Sequence, residues 1–109
     1  MTTSNPWFVY ILQCSDLSLY TGISNDLQRR LDEHNHGPRG SRYTRARRPV
    51  SLVYLEQAES RAAASQREYA IKQLDRPAKM QVILDSQRQC RRLLKTQGKS
   101  APRLESLRR

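Results

Sequence analysis

The 109-residue sequence predicts a small α/β domain, more narrowly α+β: a three-stranded, mostly antiparallel sheet flanked by helices in the order β-β-α-β-α-α. Three observations carry the prediction. Two β-prone runs near the amino terminus are separated only by residues 14–18, enough for a hairpin turn and nothing larger. A third alternating run spans Val50 to Gln57. Helical spacing of apolar residues fills the stretches between and after these runs.

The first run, Trp7-Phe8-Val9-Tyr10-Ile11-Leu12, is aromatic and β-branched, and reads as a strand buried on both faces. Leu19 to Ile23 is the second strand. Ser24-Asn25-Asp26 supplies capping chemistry, and Leu27, Leu31 and His34 recur at i, i+4 and i+7, which predicts a helix from about Asp26 to Asn35. Residues 37–49 hold two glycines, two prolines and five clustered arginines and read as a loop facing solvent or a ligand. After the third strand, Ser60 caps a helix carrying Ala64, Ile71 and Leu74. Pro77 opens a last helix, whose stripe of Met80, Ile83 and Leu84 extends to Leu93-Leu94. Residues 1–95 form the domain, and residues 96–109 read as a basic, disordered tail.

Charge bounds the function. Twenty basic residues against ten acidic ones give a net +10, which points to a polyanionic partner, nucleic acid before an anionic membrane. The excess is uneven. Residues 1–87 hold twelve basic and nine acidic residues, whereas residues 88–109 hold eight basic residues against Glu105 alone. The longest apolar run is six residues, where a spanning helix needs about 20, and the polar amino terminus is not a signal peptide. The expected location is the cytoplasm. Cys14 and Cys90 are too few for a disulfide framework or a zinc site and read as buried spectators.

Within the hairpin, an odd-length turn puts Tyr10 and Tyr20 on one face, with Leu12 opposite Tyr20 and Tyr10 opposite Gly22. A glycine there leaves open space beside the Tyr10 phenol. Arg30 and His34 fall at i, i+4 on the following helix and can address one ligand, or else be a solvated cation and a helix-end residue favoured by the dipole. Glu68 lies at the edge of its helix's apolar stripe, with Arg67 nearer the centre, and pairs equally well with Lys72 in solvent.

Together these residues resemble the GIY-YIG nuclease superfamily, in particular its small single-domain, YhbQ-like bacterial members. The first motif stands as Phe8-Val9-Tyr10, with Phe8 in place of the opening glycine, and the second as Tyr20-Thr21-Gly22. Asn25 to Asn35, Ser41-Arg42-Tyr43-Thr44, Arg48 to Tyr54, and Ala64 to Lys72 followed by Lys79 continue the likeness, from about Trp7 to Leu84. The resemblance implies catalytic roles for Tyr10, Tyr20, Arg30, His34 and Glu68, with Gly22 as a structural residue beside them. It further implies a metal-dependent endonuclease with Glu68 anchoring Mg²⁺ or Mn²⁺; phosphodiester chemistry then suits Arg30 to a phosphoryl oxygen and a tyrosine, Tyr10 first, to general base, with Tyr20 and His34 positioning water or relaying a proton. Arg39, Arg42, Arg45, Arg47 and Arg48, with Tyr43 among them, suit phosphate contacts plus one stacked base.

The expected substrate is DNA rather than RNA, read by structure rather than sequence, at branched, damaged or single-stranded features such as repair acts upon. No obligate protein partner and no membrane are expected. The alternative is a nucleic-acid-binding module of the same fold with weak or no catalysis, in an RNA setting.

Overall fold

A computed structural model describes residues 6–97 and 102–108. Among these, three strands form one antiparallel sheet in the order β2-β1-β3, and five helices surround it. The α+β class and the antiparallel sheet agree with the sequence.

The central strand β1 (Trp7–Gln13) is buried from Phe8 to Gln13, as its unbroken apolar run requires. β2 (Leu19–Ser24) returns from a turn closed by the Cys14 amide donating to the Ser18 carbonyl at 2.9 Å. Its register sets Tyr10 against Gly22 and Leu12 against Tyr20, as the turn length predicts. β3 (Ser51–Ala58) pairs with the other edge of β1, with an irregularity between Ile11 and Leu12.

α1 (Leu27–Asn35) begins where the Asp26 side chain accepts from the Arg29 amide. α3 (Arg61–Lys72) is capped in the same way by Ser60 and packs across β1 and β2, burying Ala64 and Ile71. Its exposed side carries Tyr69 at 67 % exposure. Cys14 and Cys90 are both free and buried.

Three features differ from the sequence reading. The arginine-rich loop contains one helical turn, α2 (Arg42–Arg45), started by Ser41, whose hydroxyl accepts from the Thr44 amide. The last predicted helix is two, α4 (Arg76–Asp85) and α5 (Gln87–Thr96), broken at Ser86 (φ −108°, ψ 7°). Ile83 and Cys90 are both buried and keep a seven-residue spacing across the break, so the hydrophobic period does not reveal it.

The third difference is the tail, expected to lack structure from residue 96. Residues 102–108 lie against the sheet: Leu104 bridges Leu52 in parallel and the Glu105 amide donates to the Leu52 carbonyl at 2.7 Å. Pro102 is buried, and Leu104 and Leu107 pack on the core. Gln13, itself fully buried, donates to the Arg108 carbonyl and accepts from the Arg108 amide, both at 2.7 Å. A basic composition suggests disorder, but three apolar residues and an unpaired strand edge suffice to hold the segment. Residues 98–101 and 109 of the tail lie outside the described residues.

Candidate active site

Tyr10 projects from β1 across β2, and Gly22 makes this possible. A Cβ at Gly22 would stand 2.5 Å from the Tyr10 hydroxyl and 2.6 Å from Cζ, well inside contact distance. The phenol lies in the space that the missing side chain leaves, and its oxygen meets His34 Nε2 at 2.8 Å.

His34 is fully buried near the end of α1. Its other ring nitrogen, Nδ1, is 2.8 Å from Thr44 Oγ1. Thr44, also fully buried, lies 2.9 Å from the Ser41 hydroxyl and 3.2 Å from the Ser41 carbonyl as well. The tautomer with its proton on Nδ1, donating to Thr44 Oγ1, leaves Nε2 a lone pair for the Tyr10 O–H. Burial, reinforced by the positive charges of Arg30 and Arg48, holds His34 down at about 4, against a partial opposing effect of Glu33. The imidazole is therefore neutral at physiological pH.

The Tyr10 phenol is shifted the other way, well above its ordinary 10. Burial is the largest cause and the neighbouring Tyr20 the next; Arg30 opposes the rise and the Glu68 carboxylate adds to it. Tyr20, Arg30 and Glu68 thus all lie within electrostatic reach of one phenol. Arg30 Nη1 donates to Glu33 at 3.1 Å and to the Arg39 carbonyl at 2.9 Å. The same guanidinium lies within hydrogen-bonding reach of the Tyr10 phenol, which is part of its lowering effect there.

Glu68 falls four residues after Ala64 and three before Ile71, so it continues the buried stripe of α3 toward the site. The helical wheel misplaces Arg67, which is exposed and bonds Glu56 through Nε at 3.0 Å. Exposed Ala62 and Ala70 cause the error, because alanine counts as apolar on a wheel wherever it sits. Glu68 pairs with Lys72 at 3.4 Å.

The predicted binding residues divide. Arg39, Arg42 and Arg45 are exposed and have no salt-bridge partner among the described residues. Tyr43 stacks on Tyr20 with ring centroids 6.1 Å apart, and Arg47 lies 3.9 Å over the Tyr43 ring while bonding Asp16. Arg48 is turned inward instead. It donates to the carbonyls of Glu33, His34 and Gly37, capping the end of α1. Three further residues join the site: Thr44, Lys72 and Lys79. Lys72 and Lys79 line a cavity of about 210 Å³ with Leu19, Tyr20, Thr21 and Tyr43. They come from α3 and α4, so no periodicity links them, whereas Thr44 had a local signal in Ser41, three residues before it.

A paired tyrosine and histidine, an arginine fork and a partly buried carboxylate on a three-stranded sheet define a recognisable class. The chain belongs to the GIY-YIG family: the model of the GIY-YIG catalytic domain matches residues 6–81, which places it among nuclease-type domains. More particularly, it is similar to the UPF0213 protein DP2720 of Desulfotalea psychrophila, 54 % identical over 82 residues, covering 75 % of this chain and 74 % of that one. It is likewise 52 % identical over 85 residues to the UPF0213 protein RBAM_000440 of Bacillus velezensis, covering 78 % and 85 % of the two chains. The solution NMR structure of the UPF0213 protein BH0048 from Bacillus halodurans superposes with a TM-score of 0.50 at 39 % identity, covering 75 % of this chain and 86 % of that one. No helix among the described residues is long and apolar enough to cross a membrane.

Proposed function

We propose that this protein is a metal-dependent endonuclease that hydrolyses phosphodiester bonds in DNA, selecting by structure rather than sequence. The observation that carries the reading is the Tyr10–His34 contact: a buried, protonated phenol 2.8 Å from a neutral imidazole whose other nitrogen meets Thr44. A phenol with a raised pKa is a poor base alone, but it relays a proton well. As a water oxygen attacks phosphorus, its proton passes to Tyr10 Oη while the Tyr10 proton passes to His34 Nε2. The P–O bond to the leaving oxygen breaks, and that oxygen takes its proton from solvent. The incoming phosphate's negative charge makes the imidazolium affordable in a buried site.

Arg30, beside the Tyr10 phenol, has the planar donor fork suited to a phosphoryl oxygen. Tyr20 and Tyr43 form an aromatic step on which a base stacks, beside the exposed arginines. Among the described residues no three His, Cys, Asp or Glu side chains converge to cage a metal. The carboxylate facing Tyr10 is Glu68, and a single carboxylate suits Mg²⁺ or Mn²⁺, ions that keep waters and take further ligands from substrate phosphate. Glu68 would hold the ion, which supplies charge neutralisation at the phosphoryl oxygens. Its pairing with half-exposed Lys72 is no obstacle, since such ion pairs are worth at most about 1 kcal/mol.

The test is incubation with plasmid, branched and single-stranded DNA and with RNA, in Mg²⁺, Mn²⁺ or EDTA. Cleavage is expected only with metal, preferentially on DNA, and reduced at least about 100-fold in Glu68→Gln. Nucleic-acid binding without metal-dependent cleavage would instead make this a binding module of the same fold.

A further inference from the structure

Beyond residue 81, where the matched catalytic domain ends, the chain carries eight basic and two acidic residues, most of the protein's net +10. Most of this charge belongs to ordered structure. α5 contains no acid. Its apolar side is consumed by the sheet: Cys90 Sγ accepts from the Leu55 amide at 3.2 Å and lies 3.3 Å from the Leu55 carbonyl, and Leu94 is buried beside it. Arg88, Arg91 and Lys95, at i, i+3 and i+7, form one exposed line on the other side.

The docked segment 102–108 runs next to this line. Arg103 shares a groove of about 450 Å³ with Arg91 and Lys95, and Arg88 and Arg91 line a second groove with Leu107. The segment is attached through backbone hydrogen bonds and apolar anchors, so its attachment does not use the Arg103 charge. None of Arg88, Arg91, Lys95 and Arg103 meets a carboxylate within salt-bridge distance among the described residues, whereas Arg29, Arg30, Arg47, Arg67 and Lys72 all do. Like charges at helical spacing repel and destabilise. A partner that neutralises them accounts for the arrangement.

We infer that the face formed by α5 and residues 102–108 is a second contact surface for the nucleic-acid phosphate backbone, on the β3 side of the sheet, whereas the catalytic residues gather around β1 and β2. The inference rests on the nucleic-acid reading of the catalytic site and names where that site's substrate is further gripped. A membrane is the weaker partner, because α5 has already buried its apolar face and offers a bilayer only charge. The surface is sequence-blind, so it adds affinity and salt dependence without base readout. A strand long enough to touch both regions gains from each; a short one gains from the catalytic region alone.

The experiment uses the full chain carrying Arg88→Gln, Arg91→Gln, Lys95→Gln and Arg103→Gln together. Binding of labelled DNA is measured in EDTA, so that cleavage plays no part, with a duplex of about 24 base pairs, a single strand of about six nucleotides, and phosphatidylglycerol vesicles. For the duplex, affinity should fall at least about 10-fold, and the slope of log affinity against log salt should become shallower by about 3 to 4. The short strand should bind as before, and the melting temperature should hold or rise as repulsion is removed. Unchanged duplex affinity and slope would overturn the inference, as would wild-type binding to vesicles with none to DNA. The two readings separate cleanly. If the variant loses duplex affinity and the wild type cleaves nothing with metal, the surface stands and the nuclease reading falls; normal binding by the variant with metal-dependent cleavage gives the reverse.

Discussion

Gly22 and Tyr10 are one unit at the residue scale. Alanine at position 22 would place its Cβ 2.5 Å from the Tyr10 hydroxyl, so the phenol must swing away from His34. Gly22→Ala is expected to keep its far-UV circular dichroism and lose at least about 100-fold in cleavage, the scale on which an ångström of misplacement acts. Retained activity would mean that the phenol's position is not what catalysis depends on. His34 makes a second prediction through stability. The folded protein holds it neutral down to about 4, whereas an unfolded chain protonates it near 6.5. Between those values the unfolded state binds more protons, so stability rises with pH there. The contribution is complete above about pH 6.5 and is lost as pH falls toward 4, by at most about 3 kcal/mol. Urea midpoints at about pH 7 and pH 4.5 should separate more for the wild type than for His34→Gln.

At the scale of elements, the end of α1 is where the arginine loop becomes architecture. Arg48 satisfies three carbonyls there, and Asn35 exchanges two hydrogen bonds with the Val50 backbone at 3.1 and 2.8 Å. Gly40 lets the loop come close, since a Cβ would stand 2.5 Å from the Glu33 carbonyl. Together these contacts fix His34 and lead the chain into β3. Arg48→Ala should cost about 2 to 3 kcal/mol, because charged hydrogen bonds to backbone carbonyls are lost at a helix end. The exposed Arg42 and Arg45 should behave oppositely, with Arg42→Ala/Arg45→Ala leaving the melting temperature unchanged and weakening DNA binding. Thermal melts beside binding isotherms distinguish an arginine that holds the fold from arginines that hold a ligand.

For the whole molecule, the carboxyl-terminal segment is a strap on the sheet edge as well as a carrier of charge. Truncation after Gln97 removes the Leu104 and Leu107 packing and the Glu105 and Arg108 hydrogen bonds. It should lower stability by about 2 kcal/mol, a fall in Tm of roughly 10 °C for a domain of this size. The turnover rate per folded molecule should persist, because none of the five proposed catalytic residues touches the strap. A collapse of kcat in a truncation that still melts cooperatively would show that the strap shapes the site. The net +10 has a corresponding division: arginines around α1 and α2 lie beside the candidate active site, and the charges of α5 and the strap lie along β3.

The sequence by itself determined the strand runs, the hairpin register, α1 and α3, because each depends on neighbours within about a dozen and a half positions and leaves a periodic or turn signal, and it marked the motif residues around Tyr10 through their family likeness. The pairing of Tyr10 with Gly22 was legible for that reason. Only the tertiary structure decided that Arg48 turns inward, that Thr44 meets the far ring nitrogen of His34, that Lys72 and Lys79 reach the Tyr20 cavity, and that the tail docks. Those contacts join residues as far apart as Gln13 and Arg108, 95 positions, by hydrogen bonds to backbone or between single side chains. Such bonds leave no trace in a hydrophobic pattern: an arginine reads the same in sequence whether its donors meet carbonyls or water, and burial alone separates the two.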